Sequence, residues 1–212
     1  MGLTGLVLLC FVAGHMLGNL QIFSGPSELN AYGQLLHSIP ELLWVVRVML
    51  ISCVIIHISA GLGLWVHNKR ARPIGYATRT TVGSTWASRS MALSGIIVLV
   101  FLTLHILHFT VCTIDPNYLG YKDDEGRHDI FRMLVEAFSN PWFAWFYVIG
   151  VGLLCLHLSH GISSLFRSLG WVNTPYRPWQ IALAYGCSVL LFVGFSAVPL
   201  SIQFGFVTLL SP

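Results

Sequence analysis

The chain has 212 residues, 55% hydrophobic and only 9% charged, with a mean hydropathy of +0.74 and a formal net charge of +3. A soluble domain carries about 25% charged residues, so the composition excludes a soluble globular protein, points to an integral membrane one and leaves no nucleic-acid partner to expect. The five cysteines (Cys10, Cys53, Cys112, Cys155 and Cys187) sit in or beside apolar segments and form no C-x-x-C pair, which argues against a zinc finger, a disulfide framework or a covalent haem attachment.

Five apolar spans follow one another, over roughly 2–23, 42–66, 91–114, 142–166 and 180–205. Each can cross a bilayer, which takes about 20 apolar residues at ~1.5 Å apiece. The expected fold is all-α, a single membrane domain over 1–212 built as a bundle of five transmembrane helices. The first span has no Lys or Arg before it and carries His15 near its middle, so it reads as a helix and not as a signal peptide. The loop from Gln21 to Glu41 holds no basic residue, whereas the next segment holds Lys69, Arg70, Arg72, Arg79 and Arg89. In the 115–140 loop, Lys122, Arg127 and Arg132 face six acids, and the last connection holds Arg167 and Arg177. Positive-inside bias then places the N-terminus and both basic loops in the cytoplasm and the C-terminus outside, in the cytoplasmic membrane. Within the acidic loop, Asp129 is expected to cap a short amphipathic helix, DIFRMLVEAF, lying on the outer surface before Asn140-Pro141 opens the fourth span.

Histidine at membrane depth is costly unless paired or ligated, and each of the first four spans has one. They are His15, His57, His105 (with His108 beyond) and His160 (with His157 before). Counted at ~1.5 Å per residue from the cytoplasmic helix ends, His15 and His105 lie roughly 18 and 21 Å in, and His57 and His160 roughly 13 and 9 Å. The four sort into two levels with one pair at each. Two bis-histidine haems stacked across the membrane need that arrangement, since each low-spin haem takes an axial nitrogen from two different helices. Gly14, Gly18, Gly61, Gly63 and Gly161 near these histidines would let a porphyrin approach the backbone, though small residues also serve plain helix packing. His108 and His157 are rival ligands one turn away. His37, His67 and His128 fall in loops or at the interface.

An ordered set of short pieces resembles a known family. They are Gly14-His15-Met16, His57, Gly95 with His105, Phe131-Arg132-Met133 with Glu136, His160-Gly161, and Leu169-Gly170-Trp171, together with SRSMALSG at the start of span three. The chain resembles the single-chain, five-helix, dihaem cytochrome b anchor of succinate:quinone oxidoreductases and quinol:fumarate reductases. That resemblance implies two haem b groups, a distal one on His15 and His105 and a proximal one on His57 and His160. It also implies a flavoprotein and an iron–sulfur subunit docked on the cytoplasmic face, and Arg132 near a propionate of the distal haem. Some dihaem fumarate reductases carry a proton-conducting glutamate two residues before the fourth-span histidine, and here that position is Leu158.

The expected function is electron transfer between the iron–sulfur subunit and membrane quinone, either menaquinone or ubiquinone. Succinate chemistry would reside on another chain, because this one has no dinucleotide fingerprint, cluster motif or charged dicarboxylate pocket. Ser84, Trp86 and Arg89 could line a quinone pocket or the proximal haem edge, with Arg47 and Glu41 a second choice. Membrane lipid and a higher oligomer of the complex complete the expected partners. Two alternatives remain open: a cytochrome b subunit of a hydrogenase or formate dehydrogenase, and a histidine-lined metal or proton transporter. A transporter would more naturally place Asp or Glu at depth, and no span contains either.

Overall fold

Four of the helices carry a proline in their first turn, where its missing N–H is harmless because that turn has no intrahelical acceptor. A computed structural model of the chain describes residues 1–71, 90–171 and 176–209. Among them run α1 (Gly2–Asn19, continued by a 3-10 turn over Leu20–Ser24), α2 (Pro26–His37), α3 (Pro40–Arg70), α4 (Met91–His105), α5 (Ile130–Ser139), α6 (Pro141–Ser168) and α7 (Arg177–Gln203). The fold is all-α, and five of its segments, α1, α3, α4, α6 and α7, are long and apolar enough to cross a membrane. The protein is therefore a membrane protein, as its composition indicates.

Local chemistry fixes the boundaries. The Asn140 side chain accepts from the Trp142 amide and starts α6 with Pro141 in its first turn. α6 ends on Gly170 at φ +75°, with Trp171 N–H donating to the Phe166 carbonyl at 2.9 Å and Gly170 N–H to that of Arg167 at 3.1 Å. That is a Schellman closure, and it gives Leu169-Gly170-Trp171 a structural job. α3 has Glu41 in its first turn and His67, Lys69 and Arg70 in its last, both signs matching the helix dipole. α4 stops earlier than its apolar run, widening at Ile106 into a π-type turn that lasts to Thr110 and leads to Cys112 at φ +55°.

α6 and α7 pack along much of their length, with α4 on α6 and α1 against both. Gly150 makes room for the Phe101 ring, and Gly194 for the Met16 side chain; a Cβ at either position would collide. α3 is different. It leans on α1, touches α2 and α4 lightly, and buries none of its residues.

One end of the bundle carries a lid of helix, here called the cap. The sequence did not signal α2, which fills the first loop. α5 is capped by Asp129 as expected, its carboxylate accepting from the Arg132 amide at 3.0 Å. It does not merely lie on a surface, because six of its ten residues are buried. Phe131, Leu134, Val135 and Phe138 face the helix core, while Met133 and Ala137 pack against Cys112 and Tyr118. Asn30 of α2 bolts the two halves together. Its amide donates to Asp123 at 3.2 Å and to Asp129 at 3.0 Å, and its carbonyl oxygen accepts from the Phe131 N–H at 3.1 Å.

Candidate functional site

The histidines fall at two levels of the bundle. Nearer the cap, the rings of His15 on α1 and His105 on α4 approach to 5.7 Å between centroids, at 77° to one another. Phe11 stacks on His15 at 5.6 Å and Phe195 stands at 5.9 Å. Around His105 stand Phe109 at 5.8 Å, Tyr147 at 5.9 Å and Phe101 at 6.4 Å. Neither imidazole makes a hydrogen bond among the described residues. Two nitrogens sharing one metal stand about 4 Å apart, twice a bond of about 2 Å, so these two rings are within range of a common ion. A Cβ on Gly14, next to His15, would meet open space.

The second level holds His57, His157 and His160. His57 of α3 lies against α1, with Nδ1 3.1 Å from Thr4 Oγ1 and the ring edge over the bare Gly5. His157 of α6 lies against α4 in the same way, with Nδ1 3.0 Å from Ser94 Oγ and the ring over Gly95. Gly5 is ten residues before His15, and Gly95 ten before His105, so both helices put the levels roughly 15 Å apart. His57 and His157 are near enough to interact electrostatically. No contact joins His57 to His160 among the described residues. The His160 imidazole makes no hydrogen bond there either, and Gly161 beside it faces open space.

The donor set fits haem better than a bare ion. No group of three or more metal-binding side chains occurs among the described residues, so a metal at either level would need most of its coordination from a partner molecule. A porphyrin supplies four equatorial nitrogens and leaves two axial places, one for each of two helices. The second level also shows the outer contact that a ligating imidazole makes, its spare nitrogen on a hydroxyl. His57 has it through Thr4 and His157 through Ser94.

His108 stands apart. Its Nδ1 lies 3.2 Å from the Tyr147 hydroxyl, the residue is 1% exposed, and its Nε2 is buried with no hydrogen-bond partner among the described residues. It stacks on Phe109 at 4.2 Å with Phe143 at 4.6 Å, and is not brought to His15. Thr4, Ser94 and Tyr147 went unnoticed in the sequence. A hydroxyl one or two residues from a glycine carries no signal until the facing helix is known.

Arg132 is committed elsewhere. Its guanidinium pairs with Glu136 at 2.7 Å and lies 4.3 Å over the Tyr121 ring, while the Tyr121 hydroxyl donates a short hydrogen bond to the same carboxylate. Burial would raise the Glu136 pKa, but hydrogen bonds from Tyr121 and Arg132 prevail and hold it below the usual 4.5. Asp123 likewise ends below 3.8, because bonds from Arg127 and Asn30 outweigh burial. Arg47 lies 5.3 Å over the Trp44 ring, and Glu41 sits in the first turn of α3. Ser84, Trp86 and Arg89 fall outside the described residues. His37 Nδ1 contacts the Gly33 carbonyl at 2.8 Å, and His128 Nδ1 that of Tyr121 at 3.3 Å, so both act locally.

Comparison with family models, with curated proteins and with solved structures returns no match.

Proposed function

We propose that the chain is the dihaem b membrane anchor of a succinate:quinone oxidoreductase or quinol:fumarate reductase. One observation carries the reading: His15 and His105 stand 5.7 Å apart, with no hydrogen bond to either imidazole among the described residues, one level removed from the His57 group. His15 and His105 would hold one haem, and His57 with His160 the other. His157 is the residue that a test must separate from His160, since it lies at the same level and has its Nδ1 3.0 Å from Ser94 Oγ. Bound haem b would supply one-electron redox chemistry; the chain's own part is to fix two imidazoles at each level, exclude water and set the spacing. At that spacing electrons would pass between an iron–sulfur subunit and quinone in the membrane.

Positive-inside bias, from the basic end of α3 and the basic segment 67–90, supports a cytoplasmic location for that side and an outer one for the cap. The flavoprotein and iron–sulfur subunits would dock there, with charge complementarity setting orientation more than affinity. Arg132 would have to leave Glu136 to reach a propionate, so its closer role is to hold the cap. Reduced-minus-oxidised spectra with a pyridine haemochrome assay test the proposal. Two low-spin haems b per chain are expected, and one or none would overturn it.

A further inference from the structure

We infer that Thr4 of α1 and Ser94 of α4 are positioning residues that fix the tautomers of His57 and His157, leaving the lone pair of each ring on Nε2. A hydroxyl has one proton to give and two lone pairs to accept with. Thr4 Oγ1 stands 2.9 Å from the Met1 carbonyl and 3.1 Å from His57 Nδ1. Ser94 Oγ stands 3.1 Å from the Met91 carbonyl and 3.0 Å from His157 Nδ1. A carbonyl can only accept, so the hydroxyl proton belongs on it, and the hydroxyl then accepts from an Nδ1–H. With the proton turned to the imidazole instead, two oxygens would face each other lone pair to lone pair, and one hydrogen bond of the two would be lost.

The same device occurs twice, and the sequence carries it as a repeat. Thr4-Gly5 precedes His15, and Ser94-Gly95 precedes His105, at the same spacing. In each case the glycine leaves room for the imidazole of the neighbouring helix. A Cβ on Gly5 would stand 3.3 Å from His57 Cε1, and one on Gly95 3.6 Å from His157 Cε1. The glycine seats the ring and the hydroxyl sets its proton. At His57 this preparation serves metal binding. An imidazole binds a metal through its unprotonated nitrogen, and a hydrogen bond at the other nitrogen both orients the ring and makes it a stronger donor. Held on Thr4, His57 would meet a metal with Nε2 and need no exchange of tautomer. That role of Thr4 rests on the haem reading above; the tautomers rest on the hydroxyls alone.

The test uses the full chain purified with its haem. Thr4→Val keeps the shape of the side chain and removes the hydroxyl. The midpoint potential of one haem should rise and its loss to excess apomyoglobin should speed up about tenfold or more, with the other haem unaffected, and Thr4→Ser should restore both. A potential and loss rate unmoved by Thr4→Val, both haems moved alike, or no rescue by Thr4→Ser would overturn the role of Thr4. Long-range proton–nitrogen correlation spectra of the same protein, isotope-labelled in histidine and fully reduced so that low-spin haem is diamagnetic, read the tautomers independently. His157 should be Nδ1–H and should become a mixture in Ser94→Ala. An Nε2–H ring in the wild type, or no change in the variant, overturns the inference, and this reading decides it should Thr4→Val fail to assemble. A chain that purifies without haem would sink the proposed function alone. The same spectra would then read both histidines, with Nδ1–H at each upholding the inference and Nε2–H at either overturning it.

Discussion

The two ends of this bundle are built on opposite terms. At the cap, α2, α5 and the feet of α6 and α7 close around Phe131, Leu134, Phe138, Ala144 and Tyr147, and a single asparagine ties loops far apart in sequence. At the other end α3 contributes no buried residue, and glycines at 63 and 161 face open space. Interiors of proteins are ordinarily filled to crystal-like density. Among the described residues α3 is held mainly from one side, which is where a group bound as proposed above would add packing. The cap is packed by its own residues, whereas on the proposed reading the opposite end would draw part of its packing from haem.

Four experiments would break or sharpen that contrast. The largest effect belongs to the axial histidines. His15→Ala and His105→Ala should each remove the same haem and spare the other, read by low-temperature difference spectra, while His57→Ala removes the second. His160→Ala should match His57→Ala, and His157→Ala should leave both haems in place; the reverse result would move the α6 ligand to His157. Loss of one haem by both His15→Ala and His57→Ala would end the two-level account.

Next in size is the cap bolt. Asn30→Leu leaves the Phe131 N–H buried without an acceptor and removes a donor from two carboxylates, so thermal stability in detergent should fall by about 1–3 kcal/mol. Limited proteolysis should then appear between 121 and 129 while both haem spectra persist. A glycine pair gives a finer comparison. Gly150→Ala drives a methyl into the Phe101 ring and should cost about 1–3 kcal/mol, whereas in the haem-free protein Gly63→Ala should be neutral or gain up to about 1 kcal/mol from helix propensity. Equal losses at the two positions would mean that the open end is as tightly filled as the core.

Acid should reach the cap with the smallest effect. Asp123 and Glu136 have folded pKa values below their ordinary 3.8 and 4.5. Their contribution to stability is thus complete above those values and drains away as pH falls through the depressed ones. Cleavage at 121–129 should rise below about pH 4 in the wild type, and Glu136→Gln should flatten part of that rise.

Much of this architecture was legible in the sequence. The five spans and both outer-loop signals, Asp129 and Asn140-Pro141, follow from hydropathy and capping, and the structure places helix starts near each. The depth count also anticipated the approach of His15 to His105, because straight helices convert residue number into distance reliably. What it could not give was rotation. His157 and His160 differ by only about 60° around α6, since three residues of 100° each fall that far short of a turn. The neighbour chosen by His57 depends on how α3 tilts. α2 escaped notice because PSELNAYGQLLH is short and much less apolar than the spans on either side of it, and it packs on α5. Tyr147 looked like one more interfacial aromatic, and only its contact with His108 distinguishes it.

The Asn30 bolt has a consequence for biogenesis. Its acceptor Asp129 lies 99 residues downstream. At a synthesis rate of about 5–20 residues per second, the α1–α2 hairpin waits roughly 5–20 s before its partner exists. Through that interval the apolar underside of α2 has no cap to complete, although α1 and α3 are already made. The first half of the protein must be held in the membrane as an open hairpin, and the third loop closes it from the far side like a latch. A chain arrested just before residue 129 would have three spans and α2 without its α5 partner. Such a nascent intermediate is a natural substrate for insertion chaperones and for proteases that survey half-made membrane proteins.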